Sequence, residues 1–168
     1  MKITIATILI SLTVIGWRLY EFIPDPGTQS ISARAPAHTT EGSTGPDWIP
    51  FESAIKEADS TGRPSMVFIY ADWCQWCQKT FAETFTDETV LQYLKENYHA
   101  VKLNVDGPDA AIVMKEQTIT EAQLSQILGA TGLPTFVFLD RQGDPITKTM
   151  GYYDAESAMK LLTTVAEQ

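Results

Sequence analysis

Histidine and cysteine are scarce in this chain of 168 residues, with two of each. A structural zinc site takes four Cys or His ligands, usually in two close pairs. Here Cys74 and Cys77 form one pair. His38 lies in a Pro/Thr/Ala/Gly-rich stretch, and His99 opens an apolar strand pattern and reads as a surface or strand-end residue. No metal site is therefore expected. A disulfide-stapled scaffold is not expected either, because a bridge over two intervening residues closes too small a loop to constrain an unfolded chain much. Basic residues are also few: 12 Lys and Arg stand against 21 Asp and Glu, a net charge of −9. That balance argues against nucleic acid and anionic membrane surfaces as partners and reads as a solubility charge. No haem, flavin or nucleotide motif and no internal repeat is present. No cofactor is expected beyond the cysteine pair itself.

The chain also lacks the ~20-residue apolar run of a confident spanning helix. What stands at the N-terminus is Lys2 followed by an uncharged, mostly apolar stretch over residues 3–17. This has the form of a secretory signal. The stretch continues past Arg18, which can snorkel, and Trp17 and Tyr20 suit a membrane interface. The small-x-small sequences at Ala33-Arg34-Ala35 and Ala35-Pro36-Ala37 are poor cleavage sites, one followed by Pro36 and the other far beyond the apolar run. Residues 1–23 are thus read as an uncleaved signal anchor in preference to a cleaved signal peptide, and both export the remainder. Residues 24–46, rich in Pro, Gly, Ser, Thr and Ala, read as a flexible linker. Residues 47–168 are left as the folded domain.

Within that domain, Phe51, Ala54, Ile55 and Ala58 follow helical spacing, and Gly62-Arg63-Pro64 stops the helix. Residues 65–71 form a continuous apolar run, as a strand buried on both faces should. A helix pattern runs on from Cys77, with a kink or restart near Thr86-Asp87, and Val90, Leu91 and Leu94 give a second amphipathic stretch. Residues 99–105 make another strand, completing a βαβ unit with a parallel pair. Residues 107–118 read as a loop or short helix. Thr120 to Gln123 is a capping box, with Leu124, Ile127 and Leu128 as the apolar face behind it. Residues 134–139 and 145–150 are strands joined by a turn at Asp140 to Gly143. Asp154 caps a last helix that turns Ala158, Leu161, Leu162 and Val165 inward.

The chemistry-bearing motif is Asp72-Trp73-Cys74-Gln75-Trp76-Cys77, at a strand end and a helix start. Free N–H groups and positive partial charge at a helix N-terminus stabilise a thiolate. Cys74 is accordingly the candidate nucleophile, and Cys77, a turn further in, the resolving thiol. A Cys-x-x-Cys motif is only a moderate signal alone, but it is specific when it follows a strand and opens a helix in a βαβ unit. A second element is Gly132-Leu133-Pro134-Thr135, where Pro134 begins an apolar strand, a position at which its missing N–H is tolerated.

Tyr70-Ala71-Asp72-Trp73-Cys74-x-x-Cys77, then Gly132-Leu133-Pro134-Thr135 and Gly151, resembles the thioredoxin family, from about Phe51 to the C-terminus. It is similar in particular to periplasmic thioredoxin-like domains, among them the C-terminal domain of the transmembrane disulfide reductase. Thr84-Phe85-Thr86-Asp87 shares that likeness. The resemblance implies an α/β thioredoxin fold, with a central mixed β-sheet flanked by α-helices and a cis bond before Pro134. It implies a thiol–disulfide oxidoreductase acting through Cys74 and Cys77, with Trp73, Gln75, Trp76, Leu133 and Pro134 as substrate-binding residues. Leu133 and Pro134 would offer backbone hydrogen bonds to an extended client segment. Protein thiol or disulfide clients, a membrane electron-donor protein and a periplasmic location follow from the same likeness. The chain would be tethered to the inner membrane by its N-terminal segment if that is uncleaved, or else secreted into the periplasm.

Three departures matter. Many thioredoxins carry a buried acid on the strand, six residues before the first cysteine, and here that residue is Phe68. Glu83 and Asp72 are the available replacements as proton acceptor, though each also reads as an ordinary surface charge. The dipeptide Gln75-Trp76 lacks the histidine of strongly oxidising relatives. The stretch over residues 107–123 is longer than the plain fold needs. A reductase is the leading reading. A disulfide oxidase or isomerase, or a non-catalytic binding module, are the rivals.

Overall fold

The computed structural model describes residues 45–107, 112–114 and 117–168. The segment read as signal or anchor, and all of the linker before Gly45, lie outside the described residues. Helix α1 (Phe51–Thr61) ends at Gly62, whose φ of 75° suits a glycine and whose N–H bonds the Ala58 carbonyl. It buries Phe51, Ala54 and Ala58 along one stripe. Strand β1 (Ser65–Tyr70) follows, buried at all but its last residue. Helix α2 (Gln75–Glu83) passes through a short 3₁₀ turn (Thr84–Thr86) into α3 (Glu88–Asn97). The expected restart has a cause: Asp87 leaves helical geometry and its carboxylate accepts the N–H groups of Thr89 and Val90, capping α3.

Strand β2 (His99–Asn104) pairs parallel with β1 in the register Ser65 to His99 through Tyr70 to Asn104. Then come β3 (Ile112–Met114), β4 (Gln117–Ile119), α4 (Glu121–Ile127), β5 (Thr135–Leu139), β6 (Pro145–Met150) and α5 (Ala155–Ala166). The main sheet has the order β2-β1-β5-β6, with β5 antiparallel to β1 and β6 antiparallel to β5. Trp48 adds an isolated parallel bridge to Ala100 beyond β2. The architecture is thus the expected mixed sheet flanked by helices.

Side chains alternate across the central strands, so the sheet feeds two cores. Met66 and Phe68 of β1 join Phe136 and Phe138 of β5 against Val90, Leu94, Leu162 and Val165. Val67 and Ile69 join Val137, Leu139, Val101 and Leu103 against Phe51, Ala54 and Leu124. Burying each of these large side chains stabilises the fold by about 1.5–3 kcal/mol. The tip of β1 carries the chain straight into the first core, because Ala71, Cys74 and Cys77 belong to it.

Three expectations are corrected. Residues 107–118 are not a simple loop or helix: β3 and β4 form a two-stranded antiparallel sheet of their own, Ile112 opposite Ile119. Ile127 does not face inward but is 65% exposed, since α4 ends there and Leu124 supplies its buried contact. His99 stands at a strand start but is not a surface residue. It is 3% exposed, its Nε2 lies 2.8 Å from Thr61 Oγ1 and its Nδ1 3.5 Å from Glu57 Oε2. No helix among the described residues is long and apolar enough to cross a membrane.

Candidate redox site

The β1 strand ends at Tyr70 and the chain turns through Ala71, whose carbonyl accepts the Cys74 N–H at 3.1 Å. Cys74 is extended (φ −76°, ψ 105°) and serves as N-cap of α2, its Sγ accepting the backbone N–H of Cys77 at 3.2 Å. The two cysteines form a disulfide with Cα atoms 5.2 Å apart. Cys74 is 6% exposed and Cys77 fully buried, so an outside reactant meets Cys74 first. One turn of helix therefore both aims N–H groups at Cys74 and hides its partner.

Trp73 and Trp76 flank the disulfide and remain 69% and 56% exposed, unusual for residues of that size. Trp76 lies beside Tyr152, ring centroids 5.8 Å apart. The Lys79 ammonium sits 4.6 Å from the Tyr152 ring and 5.6 Å from the Trp76 ring. Tyr152 donates to Glu83 Oε2 at 2.6 Å, which with burial and the Glu83 charge raises its pKa. Lys79 pairs with the same carboxylate at 3.8 Å. Trp76, Leu133, Pro134, Gly151 and Tyr152 line an open groove of about 320 Å³. The Leu133–Pro134 bond is cis. The Gly151 N–H bonds the Pro134 carbonyl at 2.9 Å, and its φ of 114° favours glycine. Thr135 Oγ1 donates to the Gly132 carbonyl at 2.7 Å. Gln75 is exposed on the first turn of α2 and does not line this groove.

On the other flank the Trp73 indole N–H donates to the Asp106 carboxylate. Asn104 binds Asp72 Oδ2 through its Nδ2 at 3.2 Å and accepts the Asp106 N–H at 3.0 Å. Glu121 Oε2 accepts the Asn104 backbone N–H at 2.6 Å. Burial, with Asp72 and Glu121 nearby, raises the pKa of Tyr70, opposed by a hydrogen bond from Asn104.

Phe68, at the position of the missing acid, is wholly buried among rings. Phe81, Phe85 and Phe136 lie within 5.2 Å centroid to centroid, with Tyr70 at 6.0 Å and Trp48 at 6.3 Å. Both named replacements point elsewhere. Glu83 is committed to Tyr152 and Lys79 at the surface, and Asp72 is exposed and held by Asn104. The sequence reading missed Lys79, Tyr152 and Asp106. Lys79 stands one helical turn from Trp76, a signal that spacing alone offered. Tyr152 and Asp106 lie just after strands β6 and β2, far along the chain from the cysteines.

A family model for the thioredoxin-like domain matches residues 51–166. The chloroplastic thioredoxin-like protein HCF164 of Arabidopsis thaliana is 33% identical over 103 residues, which is 61% of this chain and 33% of that protein. The thiol:disulfide interchange protein DsbD of Escherichia coli K12 is 33% identical over 101 residues, 59% of this chain and 16% of that protein. This chain spans a third or less of the length of these relatives. A thioredoxin from Thermus thermophilus superposes with a TM-score of 0.59 at 23% identity, over 72% of this chain and 87% of that one, which speaks to fold alone.

Proposed function

The chain belongs to the thioredoxin-like domain family, and from that premise we propose that it is a thiol–disulfide oxidoreductase that reduces disulfides in exported client proteins. The observation that carries this reading is the Cys74–Cys77 disulfide, with its more accessible sulfur capping a helix and its partner buried one turn inside.

The reaction starts from the dithiol form. Cys74 thiolate attacks one sulfur of the client disulfide, forming a Cys74–client bond and expelling the other client sulfur as thiolate, which takes up a proton. Cys77 then loses its proton and attacks Cys74 Sγ. The mixed disulfide breaks, the second client sulfur leaves as thiol, and Cys74–Cys77 is closed. Two electrons have passed to the client. A dithiol on a membrane electron-donor protein restores the pair by the same exchange in reverse. Trp73, Gln75, Trp76, Leu133 and Pro134 form the client-contacting surface in this reading, and an extended segment would lie along the groove between Trp76 and Pro134. The buried rings around Phe68 offer no carboxylate at this position, so the Cys77 proton passes to the client thiolate being expelled. The place of action is the periplasm, with residues 1–23 as tether or export signal.

The reduction potential of the Cys74–Cys77 pair, measured against a dithiothreitol or glutathione series, tests the direction. A value near that of thioredoxin, about −270 mV, supports a reductase; one near about −120 mV assigns the protein to disulfide insertion instead.

A further inference from the structure

Leu133 lines two grooves. Besides the one shared with Trp76, it walls a second of about 280 Å³ between the loop after β2 and helix α4. Small residues, Ala122, Ala130 and Gly132, leave this second groove open, and Asp106 stands at its side. Asp106 is the residue that accepts the Trp73 indole, so the groove adjoins the tryptophan immediately before Cys74.

The two grooves differ in charge. Beside Trp76, Lys79 and Glu83 neutralise each other. Beside Trp73, the carboxylates of Asp72 and Glu121 accept from Asn104, and Asp106, bound to Asn104 through its backbone N–H, turns its carboxylate to the Trp73 indole. Among the described residues the ion pairs use Glu83, Asp47, Glu57 and Glu156, and none of these three. Asp106 on the wall of an open trough that shares Leu133 with the groove at the redox site, with Asp72 and Glu121 close by and no cation paired to any of the three among the described residues, is complementary to a long side chain with an apolar stem and a cationic tip.

We propose that this groove is a second client subsite, which receives a lysine or arginine side chain a few residues from the client's reactive cysteine. The inference rests on the oxidoreductase reading above and adds a substrate class to it. The aliphatic stem lies against Leu133 and the cationic end meets Asp106. Opposite charge at this flank speeds encounter with basic clients and disfavours acidic ones.

The test uses the reduced chain and oxidised peptides that differ at one residue, Lys, Gln or Glu, placed on either side of the cysteine in turn. The expected result is a kcat/KM about tenfold higher for the Lys than for the Glu peptide at low ionic strength, shrinking as salt is added. Asp106→Lys is expected to invert the order. Equal rates for the three wild-type reactions at low salt overturn the subsite, and this arm requires no variant to fold. Hydroxyethyl disulfide, small and neutral, separates the two claims. Its reduction with equal peptide rates removes only the subsite, whereas no reduction of any disulfide removes both the subsite and the oxidoreductase reading.

Discussion

The backbone N–H of Cys77 donates to Cys74 Sγ at 3.2 Å, so the proposed nucleophile is also the cap of the helix that holds its partner. A serine at position 74 can keep the cap, since its hydroxyl accepts the same N–H. Cys74→Ser should therefore preserve α2 and the fold's far-UV dichroism while abolishing disulfide reduction. Cys77→Ser should instead accumulate a mixed disulfide with its client, visible as a mass adduct on Cys74. A Cys74→Ser protein that still turns over disulfides would exclude the assignment.

Trp76 offers an exposed ring to the groove beside Pro134. Trp76→Ala should lower kcat/KM for a peptide disulfide by about tenfold, equivalent to about 1.4 kcal/mol, with the loss mainly in KM. Steady-state kinetics settle it: a loss confined to kcat would mean that Trp76 acts on the chemistry and not on client binding.

Phe68 fills the position at which the resemblance to thioredoxins implies a buried acid, and it is surrounded by rings on several sides. Phe68→Ala should cost about 3–5 kcal/mol in urea unfolding. Phe68→Asp should cost at least as much, because the carboxylate would be buried without partners. A Phe68→Asp variant as stable as the parent would show that water reaches this core.

Burial and the nearby Arg63 lower the pKa of His99, while Glu57 opposes them. The unfolded chain then binds the proton more readily than the folded one below about pH 6.5. Stability contributed by neutral His99 is thus intact above that pH and declines as pH falls toward the lower, folded-state value. The slope for one such group cannot exceed about 1.4 kcal/mol per pH unit. Thermal melts at pH 7.5 and 5.5 should show a smaller drop for His99→Gln than for the parent. Equal drops would assign the acid sensitivity to other groups.

Much of this was legible in the sequence because it is local. The apolar run of β1, the Thr120 capping box and the Asp154 cap each declare themselves within a few residues. The cysteine pair was placed by the same strand-to-helix junction. The β3–β4 pair was not legible, since three-residue strands are too short for a periodicity and no Gly or Pro marks their turn. His99 was misread because its polar partners, Thr61 and Glu57, lie on another element. The surroundings of the disulfide were hidden for the same reason: Tyr152 reaches Glu83, and Asp106 reaches Trp73, only once the sheet has brought the segments after β6 and β2 to the site.

The positions of the tryptophans give the molecule an optical gauge. Trp73 precedes Cys74 and Trp76 lies between the two cysteines, both in solvent. Trp48 is wedged against Phe68 and Phe85 within the ring cluster. An excited indole loses its emission to a disulfide it can touch by passing an electron to it, and a dithiol is a poorer acceptor. The two solvent-facing indoles adjoin the cysteines in the chain, so their emission is expected to rise when the bridge opens, and a fluorescence titration with dithiothreitol reads this without an added dye.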